Sequence, residues 1–205
     1  SNLRAMVYWG HAPNSQSRGL DLKRGMDKLD LLVVVDPFPS ATAAMAAMPG
    51  KPEDTNPNRS VYLLPACTQF ETSGSVTASN RSLQWREKVM EPLYESRSDH
   101  MIMYQLAEKL GFADKLVKNM KLHKVKGMDE PQPEEILREI NRGVWTIGYT
   151  GQSPERLKAH MRNMNVFDVK TLRAKGGIDK ETGYSLDGDY FGLPWPCYGT
   201  AAIKH

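Results

Sequence analysis

The sequence predicts an α/β fold, with a doubly wound, mainly parallel (Rossmann-like) sheet and a C-terminal irregular and helical extension. Apolar strand-like runs alternate with helical segments over the first third of the chain, as in strand–helix–strand units. The run Leu31–Val35 is continuous, apolar and rich in β-branched residues, which is typical of a parallel strand buried on both faces. From Gly176 onward, glycines and aromatic residues replace any regular periodicity.

Strands and helices alternate regularly in the N-terminal part. The predicted order is strand Met6–Trp9, polar loop Gly10–Gly19, a helix capped by Asp21 and running to about Leu29, strand Leu31–Val35, helix Ser40–Met48 and strand Val61–Leu64. Because the carboxyl ends of such parallel strands share one edge, ligands are expected there.

The second half is predicted to be less regular. Its predicted elements are a mostly loop segment Pro65–Glu91, a helix from Ser98 or Asp99 to Leu110, a break over Met128–Pro133, a helix Glu134–Asn141, a strand Val144–Tyr149 and a helix that begins with Pro154 after Ser153. We expect Gly176–His205 to form a strap that is mobile or lies on other protein. The chain is therefore divided into a Rossmann-like domain, 1–125, and a linker with an extension, 126–205.

Composition excludes several classes of function. The net charge is +3, and the longest apolar run is far shorter than the roughly 18 residues of a membrane span. The basic run Lys115–Lys126 is interpreted as a solvated face, with an acidic partner or nucleic acid as alternatives, and no nucleic acid is expected. Cys67, in an apolar run, is predicted to be a buried structural thiol, and the scattered histidines predict no metal site. Both chain ends look cut, so we expect a piece of a longer protein.

Two carboxylates occupy positions where ligands bind in such folds. Asp36 follows a buried strand, and a carboxylate there can accept hydrogen bonds from a ribose diol or from the N1–H and N2–H₂ edge of guanine. The alternative is a loop-capping aspartate, because Pro37 follows at once. Asp99 is either a second carboxylate at the same ligand or a helix N-cap. The first loop offers Asn14 toward a phosphate or pterin, and a plain connection is the alternative.

Three sequence blocks carry a resemblance to a known family. They are VVVDPFPSATA (33–43), LLPACTQFETSG (63–74) and ASNRSLQWR (78–86). Their order and spacing resemble the molybdopterin oxidoreductase family. Two further blocks, IGYTGQSPERL (147–157) and GLPWPCYGT (192–200), look specifically like formate dehydrogenase large (alpha) subunits.

The resemblance implies a cofactor and its contacts. The cofactor would be molybdopterin guanine dinucleotide with molybdenum or tungsten, held by Asn14 at the dinucleotide and by the Val35 backbone and Asp36 at the guanosine. Asp99 would be the second carboxylate, and Thr72 stands where related nitrate reductases often have lysine. The family's catalytic cysteine or selenocysteine, with its histidine and arginine, and the four-cysteine cluster motif have no counterpart here. No catalytic or metal-binding residue is therefore assigned, and a [4Fe-4S] cluster would lie outside this chain.

The resemblance also implies a function for the whole protein. We expect a fragment of a formate dehydrogenase alpha subunit, inactive alone, from an enzyme that oxidises formate to CO₂. Its partners would be the remaining domains of the alpha subunit, an iron–sulfur beta subunit and a membrane cytochrome subunit. The periplasm is the expected location, with the cytoplasm as the alternative. The alternative functions are a portion of a periplasmic nitrate reductase or another molybdopterin oxidoreductase, and a standalone nucleotide-binding or interaction module.

Overall fold

The computed structural model describes residues 3–11, 16–39, 56–79, 82–143 and 153–194. The chain divides into two compact units. The first unit comprises Ser1–Glu71 and Met90–Asp99, and the second comprises Thr72–Val89 and His100–His205. The predicted boundary between a domain of residues 1–125 and an extension of residues 126–205 stays a prediction.

The first unit contains a parallel sheet in the order β1-β2-β3. Its strands are β1 (Ala5–Trp9), β2 (Leu31–Asp36) and β3 (Ser60–Pro65). Trp9 pairs with Val35, and Asp36 pairs with Pro65, so the three strands end at one edge. The predicted α/β class and the parallel pairing of the three strands are confirmed.

One side of this sheet carries the core of the first unit. Leu32 and Val34 of β2 are almost fully buried with Met26 of helix α1 (Gly19–Met26). By contrast, β3 is exposed along its length, with Tyr62 56% exposed. The burial of Leu32 and Val34 therefore comes from packing with Met26 on one side of the sheet, whereas Leu31 and Val33 are only half-buried.

Helix α1 begins earlier than predicted. It follows Arg18, whose backbone is left-handed with φ 61°, and no side chain caps it. Asp21 lies in the first turn and accepts a hydrogen bond from Arg18 Nε at 2.8 Å. The predicted Asp21 cap is wrong because the carboxylate binds a neighbouring guanidinium.

The second unit contains an antiparallel sheet that the sequence did not predict. Its strands are β4 (Gly74–Thr77), β5 (Ser82–Arg86) and, near the end of the described chain, β8 (Leu193–Pro194), in the order β4-β5-β8. The prediction of mostly loop over Pro65–Glu91 holds for most of its described residues but missed the two strands β4 and β5. Strand β5 is held by long-range packing, since its Leu83 and Trp85 are buried in one apolar cluster with Leu137 and Leu157.

A short hairpin also replaces part of the predicted break over Met128–Pro133. Strands β6 (Leu122–Val125) and β7 (Met128–Pro131) are antiparallel. They are joined by Lys126 and Gly127, which have φ values of 49° and 79°. Two successive residues with positive φ are typical of the tight turn of a two-residue hairpin loop.

Three helices of the second half lie close to their predicted positions, namely α2 (Asp99–Leu110), α4 (Pro133–Gly143) and α5 (Pro154–Arg162). The short helix α3 (Ala113–Leu116) and the 3₁₀ turn at Met164–Val166 were not predicted. The predicted Ser153 cap of α5 is confirmed, because its Oγ accepts a hydrogen bond from Arg156 N at 3.1 Å. The predicted helix Ser40–Met48 and strand Val144–Tyr149 lie outside the described residues. No helix in the described ranges is long and apolar enough to cross a membrane.

The predicted strap is packed within the second unit as far as residue 194. Leu186 and Asp189 are 0% exposed, and Asp179 is 1% exposed. Arg162 forms two hydrogen bonds to the Asp179 carboxylate, at 3.0 and 2.7 Å. The prediction of a mobile or externally supported segment is wrong for 176–194 because buried carboxylates anchor it, and 195–205 lie outside the described residues.

Candidate functional site

The candidate site lies at the carboxyl edge of the parallel sheet in the first unit. Segment 97–99 crosses this edge: Arg97 N donates to Pro65 O at 3.1 Å, and Cys67 N donates to Arg97 O at 2.8 Å. Two residues later, Asp99 accepts a hydrogen bond from the indole of Trp9, at the end of β1. The segment thus contacts the ends of both β3 and β1, and β2, which ends in Asp36, lies between these two strands.

The spacing of the strands brings the two predicted carboxylates together. Neighbouring strands lie about 5 Å apart, so the ends of β1 and β3 are separated by roughly 10 Å, with Asp36 between them. Asp36 and Asp99 therefore lie at the same edge of the sheet. The sequence predicted both residues, and the structure brings them to this edge.

The Asp36 carboxylate accepts one local hydrogen bond and can accept further ones. Its Oδ1 accepts a hydrogen bond from Phe38 N at 3.0 Å, which is the loop-capping role left open by the sequence. Within the described residues its other oxygen, Oδ2, has no hydrogen-bond donor, and the side chain is half-buried. A carboxylate has about four acceptor positions, so capping and ligand binding are compatible.

Val35 lies directly before Asp36 and fixes the end of the first loop. Its side chain is 1% exposed, and its carbonyl oxygen accepts a hydrogen bond from Gly10 N at 2.9 Å. Only the backbone is thus available to a ligand, and one lone pair of the carbonyl is already used. The predicted contact of the Val35 backbone with guanosine stays a prediction.

Asp99 is exposed, and its Oδ1 lies 2.5 Å from Trp9 Nε1. Within the part of the chain that the structure describes, this is the one hydrogen bond of its side chain. Among the described residues, the Asp99 carboxylate accepts no hydrogen bond from the backbone of α2. The structure therefore does not support the N-cap alternative for Asp99. Its second oxygen, Oδ2, points to no donor among these residues.

Glu71 organises the loops around this edge, a role the sequence did not reveal. It is 4% exposed and accepts hydrogen bonds from Thr68 N at 2.7 Å, Leu93 N at 2.5 Å and Ser96 Oγ at 3.2 Å. Burial alone would raise the pKa of Glu71, but the hydrogen bonds from Leu93, Thr68 and Ser96 hold this pKa below its usual value. The ionised carboxylate therefore ties the chain after β3 to the segment that leads to Asp99.

The structure does not test two other predicted site residues. Thr72 belongs to the second unit, and its Oγ1 donates a weak hydrogen bond to Ser73 O at 3.4 Å. Asn14 lies outside the described residues, as do Asn80 and Arg81 of the loop after β4. The roles of Asn14 and Thr72 stay predictions.

The second unit holds a buried polar cluster around Asp189. Its carboxylate accepts two hydrogen bonds from Arg156, at 3.2 and 3.0 Å, and one each from His160 Nε2 at 2.9 Å and Tyr184 Oη at 2.8 Å. Burial alone would raise the pKa of Asp189, but the hydrogen bonds from His160, Arg156 and Tyr184 lower it on balance. Burial and the bond to Asp189 raise the pKa of Tyr184 to about 12.

This cluster is closed to substrates and therefore structural. Asp189 is 0% exposed and His160 is 1% exposed, so neither reaches solvent. Within the described ranges, no group of three or more histidine, cysteine, aspartate or glutamate residues is arranged to hold a metal ion. Cys67 is buried at 8% exposure, which confirms its predicted burial.

Comparisons with known proteins identify the family of this chain. A family model described as molybdopterin oxidoreductase matches residues 3–109, a range that contains all of β1–β3 and most of α2. The chain is 31% identical over 137 residues to the F420-dependent formate dehydrogenase subunit alpha of Methanocaldococcus jannaschii. It is 30% identical, also over 137 residues, to a putative formate dehydrogenase of Staphylococcus aureus strain RF122.

These matches cover 67% of the chain but a small part of each relative. The chain spans 16% of the length of the Methanocaldococcus protein and 11% of the length of the Staphylococcus protein.

Proposed function

The chain belongs to the molybdopterin oxidoreductase family, and from that premise we propose that its carboxyl edge binds the guanosine end of a molybdopterin guanine dinucleotide. The observation that carries this proposal is the presence of Asp36 and Asp99 at one edge of the parallel sheet. A molybdopterin cofactor with molybdenum or tungsten is implied by the family.

The residues at this edge fit a guanine base. Guanine presents two kinds of donor on one side, N1–H and N2–H₂, and therefore needs acceptors on the protein. Asp36 and Asp99 each retain an oxygen, Oδ2, without a donor among the described residues. Charged acceptors form the stronger class of hydrogen bond, which suits recognition at a partly exposed edge.

Each element of the edge has a definite task in this proposal. Asp36 binds the guanosine from the centre of the sheet, while Glu71 holds the loop that leads to Asp99. The backbone after β1, including Gly10, lies next to Val35 and lines the approach to the base. When bound, the cofactor supplies the metal centre for redox chemistry, and this chain supplies binding and orientation for its nucleotide end.

The proposed activity of the whole protein is formate dehydrogenation. The names of the two relatives and the blocks at 147–157 and 192–200 favour formate over nitrate as substrate. Formate would lose two electrons and a proton to become CO₂. We propose that this chain is one portion of the alpha subunit, contributes no catalytic side chain, and shows no formate oxidation alone.

For the electron-transfer partners and the location of the whole protein, the family resemblance is the basis of what we propose. The electrons would pass through a [4Fe-4S] cluster to an iron–sulfur beta subunit and on to a membrane cytochrome subunit. The proposed location is the periplasm, with the cytoplasm as the alternative.

Guanine preference is the expected result of a nucleotide titration. The chain is expected to bind GMP about 5- to 150-fold more tightly than AMP, because adenine presents an acceptor at N1, which a carboxylate oxygen repels, and leaves that oxygen without a donor. Absolute affinity is expected to be in the millimolar range, since the pterin half of the ligand is missing. Isothermal titration calorimetry with both nucleotides measures the ratio.

The matched pair of variants is Asp36→Asn and Asp30→Asn. An amide at position 36 places a donor beside guanine's donors, so the preference for GMP is expected to fall. Asp30 lies just before the other end of the same strand, where it binds Arg4 and Asn56, and its substitution is expected to leave the preference unchanged. Equal binding of GMP and AMP by the unmodified chain contradicts the proposal.

A further inference from the structure

The hydrogen bond between Trp9 and Asp99 joins residues ninety positions apart in the sequence. Trp9 is the last residue of β1, and its ring is half-buried, whereas Asp99 is exposed. The Nε1–Oδ1 distance is 2.5 Å. An exposed aspartate side chain ordinarily samples several rotamers in water. The hydrogen bond from the half-buried indole of Trp9 therefore indicates that the Asp99 carboxylate is held in one orientation.

We propose that Trp9 is a positioning residue that holds the Asp99 carboxylate in the orientation that discriminates guanine from adenine. This inference rests on the proposed function, because it assigns a determinant of specificity to the same nucleotide edge. Trp9 itself need not touch the base.

The chemistry of the indole explains why tryptophan suits this task. Its N–H is a donor and has no acceptor capacity, so it donates to one oxygen of Asp99 and leaves the other acceptor positions of that side chain available. With Oδ1 fixed by Trp9, the plane of the carboxylate is set, and Oδ2 together with the second lone pair of Oδ1 can face N1–H and N2–H₂.

The position of the two residues supports this arrangement. Trp9 pairs with Val35, the neighbour of Asp36, so the indole is anchored on the strand next to the first carboxylate. Segment 97–99 is anchored on the other side by Arg97, through the backbone of Pro65 and Cys67. Within the described residues, the side chain of Asp99 has no other hydrogen-bond partner, so the indole is what fixes its orientation.

The variant Trp9→Phe tests the inference, because it removes the N–H and keeps an aromatic ring. The ratio of GMP to AMP affinity is expected to fall by about 3- to 10-fold, the cost of ordering one mobile side chain on binding. The affinity for AMP is expected to change by less than about 2-fold, since adenine does not use the fixed acceptor. Tyr62→Phe, on the exposed strand β3, is the control and is expected to keep the ratio of the unmodified chain.

A spectroscopic measurement tests the hydrogen bond separately from any nucleotide. In a ¹H–¹⁵N spectrum, the indole N–H of Trp9, assigned by its loss in Trp9→Phe, is expected to resonate downfield of the indole N–H of Trp85. The Trp85 nitrogen is buried and has no hydrogen-bond partner in the described structure. The Trp9 signal is expected to move upfield in Asp99→Asn, whereas the Trp85 signal stays in place.

The outcomes separate this inference from the proposed function. A ratio of GMP to AMP affinity that is unchanged in Trp9→Phe overturns the positioning role and leaves guanine binding intact. An indole signal of Trp9 that does not respond to Asp99→Asn also overturns the positioning role. Absence of a GMP preference in the unmodified chain overturns the proposed function, and the role of Trp9 with it.

Discussion

Replacing Asp189 by asparagine is expected to destabilise the second unit by about 3–5 kcal/mol, because it leaves a buried guanidinium without its counter-charge. The Arg156 side chain is 8% exposed and its partner is fully buried. An amide also offers a single acceptor oxygen where the carboxylate now accepts four hydrogen bonds. Urea unfolding, with amide hydrogen exchange over residues 153–194, measures the loss.

The control for this variant is Asp187→Asn, two residues earlier on the same segment. Asp187 is exposed and accepts one hydrogen bond, from Gly176 N at 2.8 Å, which an amide oxygen can also accept. Its substitution is expected to cost less than about 1 kcal/mol. Equal stability of the two variants would show that the buried charge cluster contributes little.

The pH dependence of this cluster follows from the lowered pKa of Asp189. The hydrogen bonds of the folded state favour the ionised carboxylate, so its contribution to stability is full above the pKa of an unfolded aspartate. That contribution is lost as the pH falls through the lower pKa of the folded state. The unmodified second unit is therefore expected to lose more stability on acidification than the Asp189→Asn variant does.

Replacing Glu71 by glutamine is expected to destabilise the first unit by about 2–4 kcal/mol. The carboxylate is buried, and an amide NH₂ in its place must face Leu93 N–H or Thr68 N–H, both of which are donors. A buried donor left without an acceptor costs about 1–3 kcal/mol, and the charge-assisted bonds are lost as well. Urea unfolding followed by hydrogen exchange over 56–71 and 90–99 measures this effect.

Glu95→Gln provides the matched control, since Glu95 is exposed on the loop that Glu71 holds. This variant is expected to be within about 0.5 kcal/mol of the unmodified chain. Because Glu71 fixes the segment that leads to Asp99, Glu71→Gln is also expected to weaken GMP binding. Unchanged stability would mean that the loop is held by other contacts.

Local sequence signals were sufficient for the parallel sheet and several helices. The β-branched run at Leu31–Val35 predicts a central strand from its own composition, and Pro154 after Ser153 predicts a helix start from its own backbone preferences. The position of Asp36 followed from the same reasoning, since a residue after a buried strand stands at the ligand edge.

Interactions between distant residues explain what the sequence did not predict. The short segment Ser82–Arg86 becomes a strand because Leu83 and Trp85 pack on helices more than fifty residues away in the sequence. The closed packing of 176–194 depends on Asp189 meeting Arg156 and His160, which no local pattern reveals. The hairpin at β6 and β7 did have a local signal, the Lys126–Gly127 pair, which is a weaker turn signature than Asn-Gly.

The site likewise combines residues that local sequence signals predict with an arrangement that depends on contacts between distant residues. Asp36 and Asp99 could be proposed separately from strand and helix positions, but their arrangement at one edge depends on Trp9 and on the backbone pairing of Arg97. Glu71 stood in a loop with turn chemistry, and its burial became visible only once Leu93 and Ser96 were placed beside it.

Mapping GMP on the folded chain by NMR tests the central claim most directly. In ¹H–¹⁵N spectra recorded during a GMP titration, the largest shifts are expected at the Trp9 indole and at the backbone amides of Asp36, Phe38 and Asp99. The amides of the closed cluster, Arg156, His160 and Tyr184, are expected to stay in place, and AMP at equal concentration should produce smaller shifts at the edge. Shifts spread over both units, or shifts of equal size with both nucleotides, would contradict guanosine binding at the carboxyl edge of the sheet.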